Sequence, residues 1–231
     1  MQRNINELFG NKLTASDGDI GHVKDFYFDD QTWVVRYLIV NTGSWLSGRQ
    51  VLLSPHAFGR LNRTGKNLSV ALTRKQIEAS PSIDSHKPVS RQFEIDYYRY
   101  YGWPPYWSGT AMWGLGGFPV VMLPSKDQAL AQRKYHHRDD KHLQSMKAIK
   151  GYPIMATDGK VGSFSSFMLD EKSWAISAMV ADTGKWYSDK ELLIAPENLE
   201  RIGYEESKVF VKLTKAGIRK AAETALSTAG V

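Results

Sequence analysis

Short apolar runs separated by Gly, Asp and Asn fill the first 80 residues of this chain, and their alternation is that of strands. Leu8 to Ala15 (LFGNKLTA) reads as a strand ending at Ser16-Asp17-Gly18-Asp19. Asp-Gly supplies the positive φ of a hairpin turn. Ile20 to Phe28 alternates, and Gly21 inside it predicts a bulge or a sharp bend. Asp29 to Thr32 is the next turn. Trp33 to Val40 (WVVRYLIV) predicts a mostly buried central strand, with Trp33 in the core. Val51 to Leu53, stopped by Pro55, and Asn67 to Leu72 are shorter strands. Thr73 and Gln76 form a capping-box pattern, opening a short helix that ends before Pro81.

The pattern then returns. Shifted by 141 residues, Ile154 to Ile194 repeats Leu13 to Leu53 without a gap. Asp158-Gly159 falls on Asp17-Gly18, Gly162 on Gly21, Trp174 on Trp33 and Trp186 on Trp45. The repeat predicts one module at 1–80 and a second at 148–231, joined by a connector at 81–147. Modules of this size bury only about 60% of their unfolded surface. Each is therefore expected to pack against the other copy or the connector.

The connector has no counterpart elsewhere in the chain. Phe93 to Trp113 is dense in Tyr and Trp, Gly114 to Pro124 is apolar and broken by Gly and Pro, and Lys126 to Lys147 is polar. That last stretch predicts a solvated helix or a tether.

The spacing Leu8, Gly10, Leu13, Asp17, Gly18, Gly21, Val23, Asp25, Asp29, then Pro55 and Leu72-Thr73-Arg74-Lys75-Gln76-Ile77, resembles the PRC-barrel family. The second copy keeps Gly151, Asp158, Gly159, Gly162, Asp170, Pro196 and Leu213-Thr214, and departs at Ser166, which stands opposite Asp25. The resemblance covers residues 8–80 and 149–221. It implies a mainly β chain of two small antiparallel β-barrels, each with a short C-terminal helix. Members include a cytoplasmic part of a photosynthetic reaction-centre subunit (the H subunit) and half of a ribosome maturation factor. In both the barrel contacts proteins and does not catalyse. The resemblance thus implies binding or assembly without choosing a partner.

Charge and composition remove several classes. The net charge of +6 is spread as +3 over 1–80, +3 over 81–147 and 0 over 148–231. No Lys/Arg run interleaves with aromatics as a phosphate-tracking groove requires, so nucleic acid is not expected as a partner. Cysteine is absent, which excludes disulfides, thiolate metal sites and cysteine nucleophiles. No secretory h-region is read at MQRNINELFG, and the apolar stretch from Ala111 to Pro124 falls short of the ~20 residues of a spanning helix. The expectation is a cytoplasmic protein.

No catalytic residue, metal site or cofactor site is expected. Asp17, Gly18 and Gly21, with Asp158, Gly159 and Gly162, are explained by turn chemistry. Asp29 and Asp170 are explained the same way. His136, His137, Asp139, Asp140 and His142 have metal-capable side chains but no spacing that carries a mechanism, and they read as a solvated face. Trp45 and Trp186 follow Thr-Gly turns, where each either folds back over a barrel end or sits at a contact surface. The run Tyr97, Tyr98, Tyr100, Tyr101, Trp103, Tyr106, Trp107 and Trp113 is too aromatic for a solvated linker. Packing between the barrels, an oligomer or peptide interface, and a membrane surface are the three readings open to it.

The function expected is a non-enzymatic protein-interaction or assembly module, self-associating or with an unidentified protein partner. A peripheral membrane adaptor using the aromatic connector, and a small-ligand protein or enzyme with a site between the barrels, are the alternatives.

Overall fold

The computed structural model describes residues 1–58, 63–64, 66–81, 91–109, 111–114, 118–119, 142–184 and 191–228. The chain is mainly β, with 45% strand against 21% helix. It forms two compact units. The first holds Glu7–Ser145 with Met1 and Glu171–Ala175, and the second holds Gln2–Asn6, Met146–Asp170 and Ile176–Val231.

The chain opens with β1 (Gln2–Asn4), which belongs to the second unit. The first unit is built on β2 (Lys12–Ala15), β3 (Gly18–Asp29), β4 (Val34–Asn41), β5 (Gln50–Leu53), β6 (Arg63–Thr64) and β7 (Asn67–Ser69). α1 (Arg74–Glu78), α2 (Arg91–Tyr101) and β8 (Leu143–Ser145) complete it. The sheet order is β5-β4-β3-β2-β7-β6, with β8 on the far half of β3. Among the described strands of this sheet, only the β2–β7 pairing is parallel. β3 changes partners along its length: Gly18 to His22 face β2, and Tyr27 to Asp29 face β8.

Glycine makes that bend feasible. The register slips at Leu13/Thr14, opposite Gly21 and Asp19, leaving Ile20 unpaired as a bulge. Gly21 has φ of 137°, and a Cβ there would run into the Asn41 carbonyl. β4 therefore crosses β3 at a distance only glycine permits.

The second unit contains α3 (Met146–Ile149), β9 (Pro153–Ala156), β10 (Gly159–Asp170), β11 (Ile176–Asp182), β12 (Glu191–Ile194), β13 (Leu199–Gly203), β14 (Lys208–Val211) and α4 (Lys215–Thr228). Its order is β12-β11-β10-β9-β14-β13, with β1 on the far half of β10. Val161 bulges between Lys160 and Gly162, and a Cβ on Gly162 would meet the Asp182 carbonyl. The outer strands are supplied from unexpected places. Gln2 pairs with Asp170 in the second unit, and Leu143 pairs with Asp29 in the first. Each sheet takes a strand from the sequence that leads into the other.

The sheets do not match the closed barrels expected. Their hydrogen-bonded paths are open, ending at β5 and β6 in one and at β12 and β13 in the other. Nor is Lys126 to Lys147 one helix to its end. Leu143–Ser145 is strand, because β3 offers it a ladder, and 120–141 lie outside the described residues. Trp33 is half-buried and left-handed at φ 55°, just ahead of β4. Trp174, also left-handed at φ 60°, is fully buried in the first unit. There its carbonyl accepts from the Val35 N–H at 2.9 Å and its ring lies 5.5 Å from Phe58.

Candidate functional site

The turn residues act beyond their own turns. Asp17 accepts the N–H of Arg74 at 2.7 Å, and Asp158 accepts that of Lys215 at 2.9 Å. Each thus satisfies a backbone donor in the first turn of α1 or α4, which no intrahelical carbonyl can reach. Thr73 and Gln76 close a capping box on α1. Gly18 leaves room for the Arg74 stem, and Gly159 for Lys215.

The aromatic connector is organised by α2, which the sequence reading did not anticipate. Glu94, Tyr97, Tyr98 and Tyr101 recur at helical spacing and are all buried. The helix ends at Gly102, left-handed at φ 66°, where the Trp103 N–H reaches back to the Tyr98 carbonyl at 3.0 Å. Trp103 then stacks on Tyr101 with centroids 4.4 Å apart. Tyr37 from β4 meets Tyr97 edge-on at 5.6 Å. Such pairs contribute about 0.5–1.5 kcal/mol each beyond the area they bury.

α2 seals the free edge of β5. The Tyr97 hydroxyl accepts from the Ser54 N–H at 2.9 Å and donates to the Leu52 carbonyl at 3.2 Å. One side chain thereby occupies both groups that a neighbouring strand would take. Burial pushes the Tyr97 phenol well above its usual range, with Tyr101 adding to the effect. Tyr37 rises likewise, first from burial and then from the Glu94 carboxylate. Glu94 accepts from the hydroxyls of Tyr37 at 2.7 Å and Tyr106 at 2.9 Å.

Arg36 is the feature that sequence reasoning missed. It is 1% exposed in the middle of β4. Its Nη1 donates to the Met112 carbonyl at 2.6 Å and its Nη2 to Thr32 Oγ1 at 2.9 Å. The guanidinium lies 3.9 Å over the Tyr106 ring and 4.9 Å from Trp113. Asp29 Oδ2 is 3.5 Å away. A lone charge inside WVVRYLIV was the available signal.

The other candidates fall as follows. Tyr97, Tyr98, Tyr101, Trp103, Tyr106 and Trp113 are buried within the first unit. Tyr100 and Trp107 are half-buried, and Tyr100 donates to the Gln76 carbonyl at 2.8 Å. Trp45 is half-buried under the Arg74 guanidinium at 4.6 Å. Trp186 lies outside the described residues, as do His136, His137, Asp139 and Asp140. His142 Nδ1 pairs with Asp30 Oδ1 at 3.0 Å. Among the described residues no cluster of three or more metal-capable side chains occurs, and no helix is long and apolar enough to cross a membrane.

Residues 2–71 match the family model of the PRC-barrel domain. No curated protein matches the chain.

Proposed function

We propose that the chain is a non-enzymatic protein-interaction or assembly module built from two PRC-barrel-like modules, with β12 as its contact edge. The match over residues 2–71 supports the first module. The shared strand order, with bulges at Ile20 and Val161, supports a second of the same kind.

The observation that carries the contact is a difference between two edges in the same register. Leu53 of β5 stands opposite Leu38, and Ile194 of β12 stands opposite Met179. The flanking groups on β5, Leu52 O and Ser54 N, are taken by Tyr97. Their equivalents, Leu193 O and Ala195 N, bond to no described residue, although α4 packs against β12. Leu193 is 44% exposed beside them. An extended segment of a partner protein, added as a further strand, would satisfy both groups and cover Leu193.

Ala195→Pro tests this. Ala195 already has φ of −67°, so proline fits and removes only the outward N–H. The intact chain is expected to retain a stable protein partner, or itself, in pull-down and light scattering. The variant should lose it with an unchanged melting temperature. Equal capture by both chains would sink the edge reading, and no association of either would sink the function.

A further inference from the structure

β5, β6, β12 and β13 end the two sheet paths, and all but β12 are guarded. The Tyr97 hydroxyl occupies β5. β6 is two residues long and contains Arg63. β13 is broken by a register slip between Leu199 and Arg201, and its Glu200 and Arg201 are exposed. Truncation, bulges and charged side chains keep an edge from pairing. β12 has no bulge, because its register with β11 runs from Glu191 to Ile194 without a slip. Its charge is confined to Glu191, at the start. Leu193 is 44% exposed, whereas Met1, Met112 and Phe118, the other large hydrophobics exposed among the described residues, lie outside strands.

We infer that the occupant of this edge is β12 of a second copy, antiparallel about a twofold axis at Leu193. The inference rests on the reading of β12 as the contact edge and names what fills it. Backbone groups alternate sides along a strand, so those of Glu191 and Leu193 turn outward together with the Ala195 N–H. With the axis at Leu193, that residue faces its own counterpart, Leu192 faces the partner's Ile194, and Glu191 faces the partner's Ala195. The two Leu193 residues exchange N–H and C=O, and the Ala195 N–H donates to the partner's Glu191 carbonyl. The exposed leucine side chains cover each other. The two Glu191 carboxylates stand roughly 13 Å apart along the strands, beyond a Debye length. Other registers do worse. An axis at Glu191 sets those carboxylates face to face, one at Ile194 sets Glu191 against the partner's Glu197, and one at Leu192 sets Glu191 against Leu193. A strand of another protein would have to supply these matches, and a second copy already carries them.

The test is light scattering of the intact chain across concentration. One strand edge is small against the ~1,200 Å² of a tight complex, so a reversible dimer half formed at roughly 100 µM is expected. Leu193→Lys and Leu193→Glu should each keep the wild-type melting temperature, since the side chain is exposed. Each should weaken dimerisation at least about tenfold, because like charges then face across the axis, and an equal mixture of the two should dimerise again. The chain has no cysteine of its own. A Leu193→Cys thiol should therefore link two copies under mild oxidation, with Cα atoms about 5.5 Å apart, and Glu191→Cys should not. A wild-type chain still monomeric at about 1 mM, a mixture that stays monomeric, or faster linking through Glu191→Cys overturns the twofold pairing. If the wild type is monomeric but captures another protein that Ala195→Pro loses, self-pairing fails and the edge reading survives. A dimer that Ala195→Pro leaves intact sinks both.

Discussion

The Ser145 hydroxyl donates to Asp25 Oδ2 at 2.5 Å, joining β8 to β3 in the first unit. At the matching place in the second unit the roles are exchanged between strands. Ser166 of β10 donates to Asn4 Oδ1 of β1 at 2.6 Å. The difference between Asp25 and Ser166, which hold the same place in β3 and β10, is thus matched by a second difference, Ser145 against Asn4. Each pair keeps one donor and one acceptor.

That relationship predicts a rescue. Asp25→Ser leaves two hydroxyls facing each other and removes a charge-assisted bond, at a cost of about 1.5–3 kcal/mol. Ser145→Asn alone sets an amide against the carboxylate in less space. The double variant recreates the Ser–Asn pair of the second unit and should recover at least half of the Asp25→Ser loss. A double-mutant cycle from urea melts reads the coupling. Strict additivity would show that the two residues do not act as a pair.

Tyr97→Phe keeps the ring and removes the hydroxyl that serves Leu52 O and Ser54 N. Two backbone groups are then left short of partners, which costs about 1–3 kcal/mol in total. Urea denaturation should show a lower midpoint with an unchanged slope. The same variant should self-associate more at high concentration, because the β5 edge is reopened.

Gly21→Ala and Gly162→Ala each place a methyl group on a crossing backbone carbonyl. Neither neighbour can yield without moving a strand, so a loss of about 4 kcal/mol or more is expected. Gly10, like Gly21, has a positive φ, at 71°, but open space around it, and Gly10→Ala tests that strain by itself. It should cost about 1–2 kcal/mol, from backbone strain alone. Comparable losses at Gly10 and Gly21 would show that the close crossing does not matter.

Alkaline pH should unfold the chain through its tyrosines. The phenols of Tyr37, Tyr97, Tyr98 and Tyr101 are all raised above the ordinary 10.0, chiefly by burial. Below that value folded and unfolded chains hold the same phenolic protons, and stability is untouched. Above it the unfolded chain releases protons that the folded chain keeps, so stability falls as pH rises. Melting temperatures from pH 8 to 11, with tyrosinate absorbance followed in parallel, should show ionisation arriving together with unfolding. Tyrosinate forming well before the melt would contradict the burial.

The sequence disclosed what local chemistry decides. Asp17-Gly18 and its counterpart are turns, Gly21 sits beside a bulge, and Thr73 with Gln76 caps a helix, because each depends on residues only a few places away. What stayed hidden depends on distant partners. β8 is written LQS, with no strand pattern of its own, and becomes a strand because the far half of β3, paired with β4 on one side, offers its other margin. α2 carries Phe93 and Tyr100 off its buried face, which blurs the helical spacing of Glu94, Tyr97, Tyr98 and Tyr101. Arg36 was visible as a charge in an apolar strand, but its meaning required Tyr106 and Met112, some seventy residues later.

The strand pairings also set a timetable for synthesis. When residues 1–80 leave the ribosome, the far half of β3 has β4 on one side and nothing on the other, since Leu143–Ser145 has yet to be translated. β1 is in the opposite position, made first and idle until β10 arrives. A nascent chain paused between the two would expose an unfilled sheet margin, and that interval is when a chaperone would find most to hold.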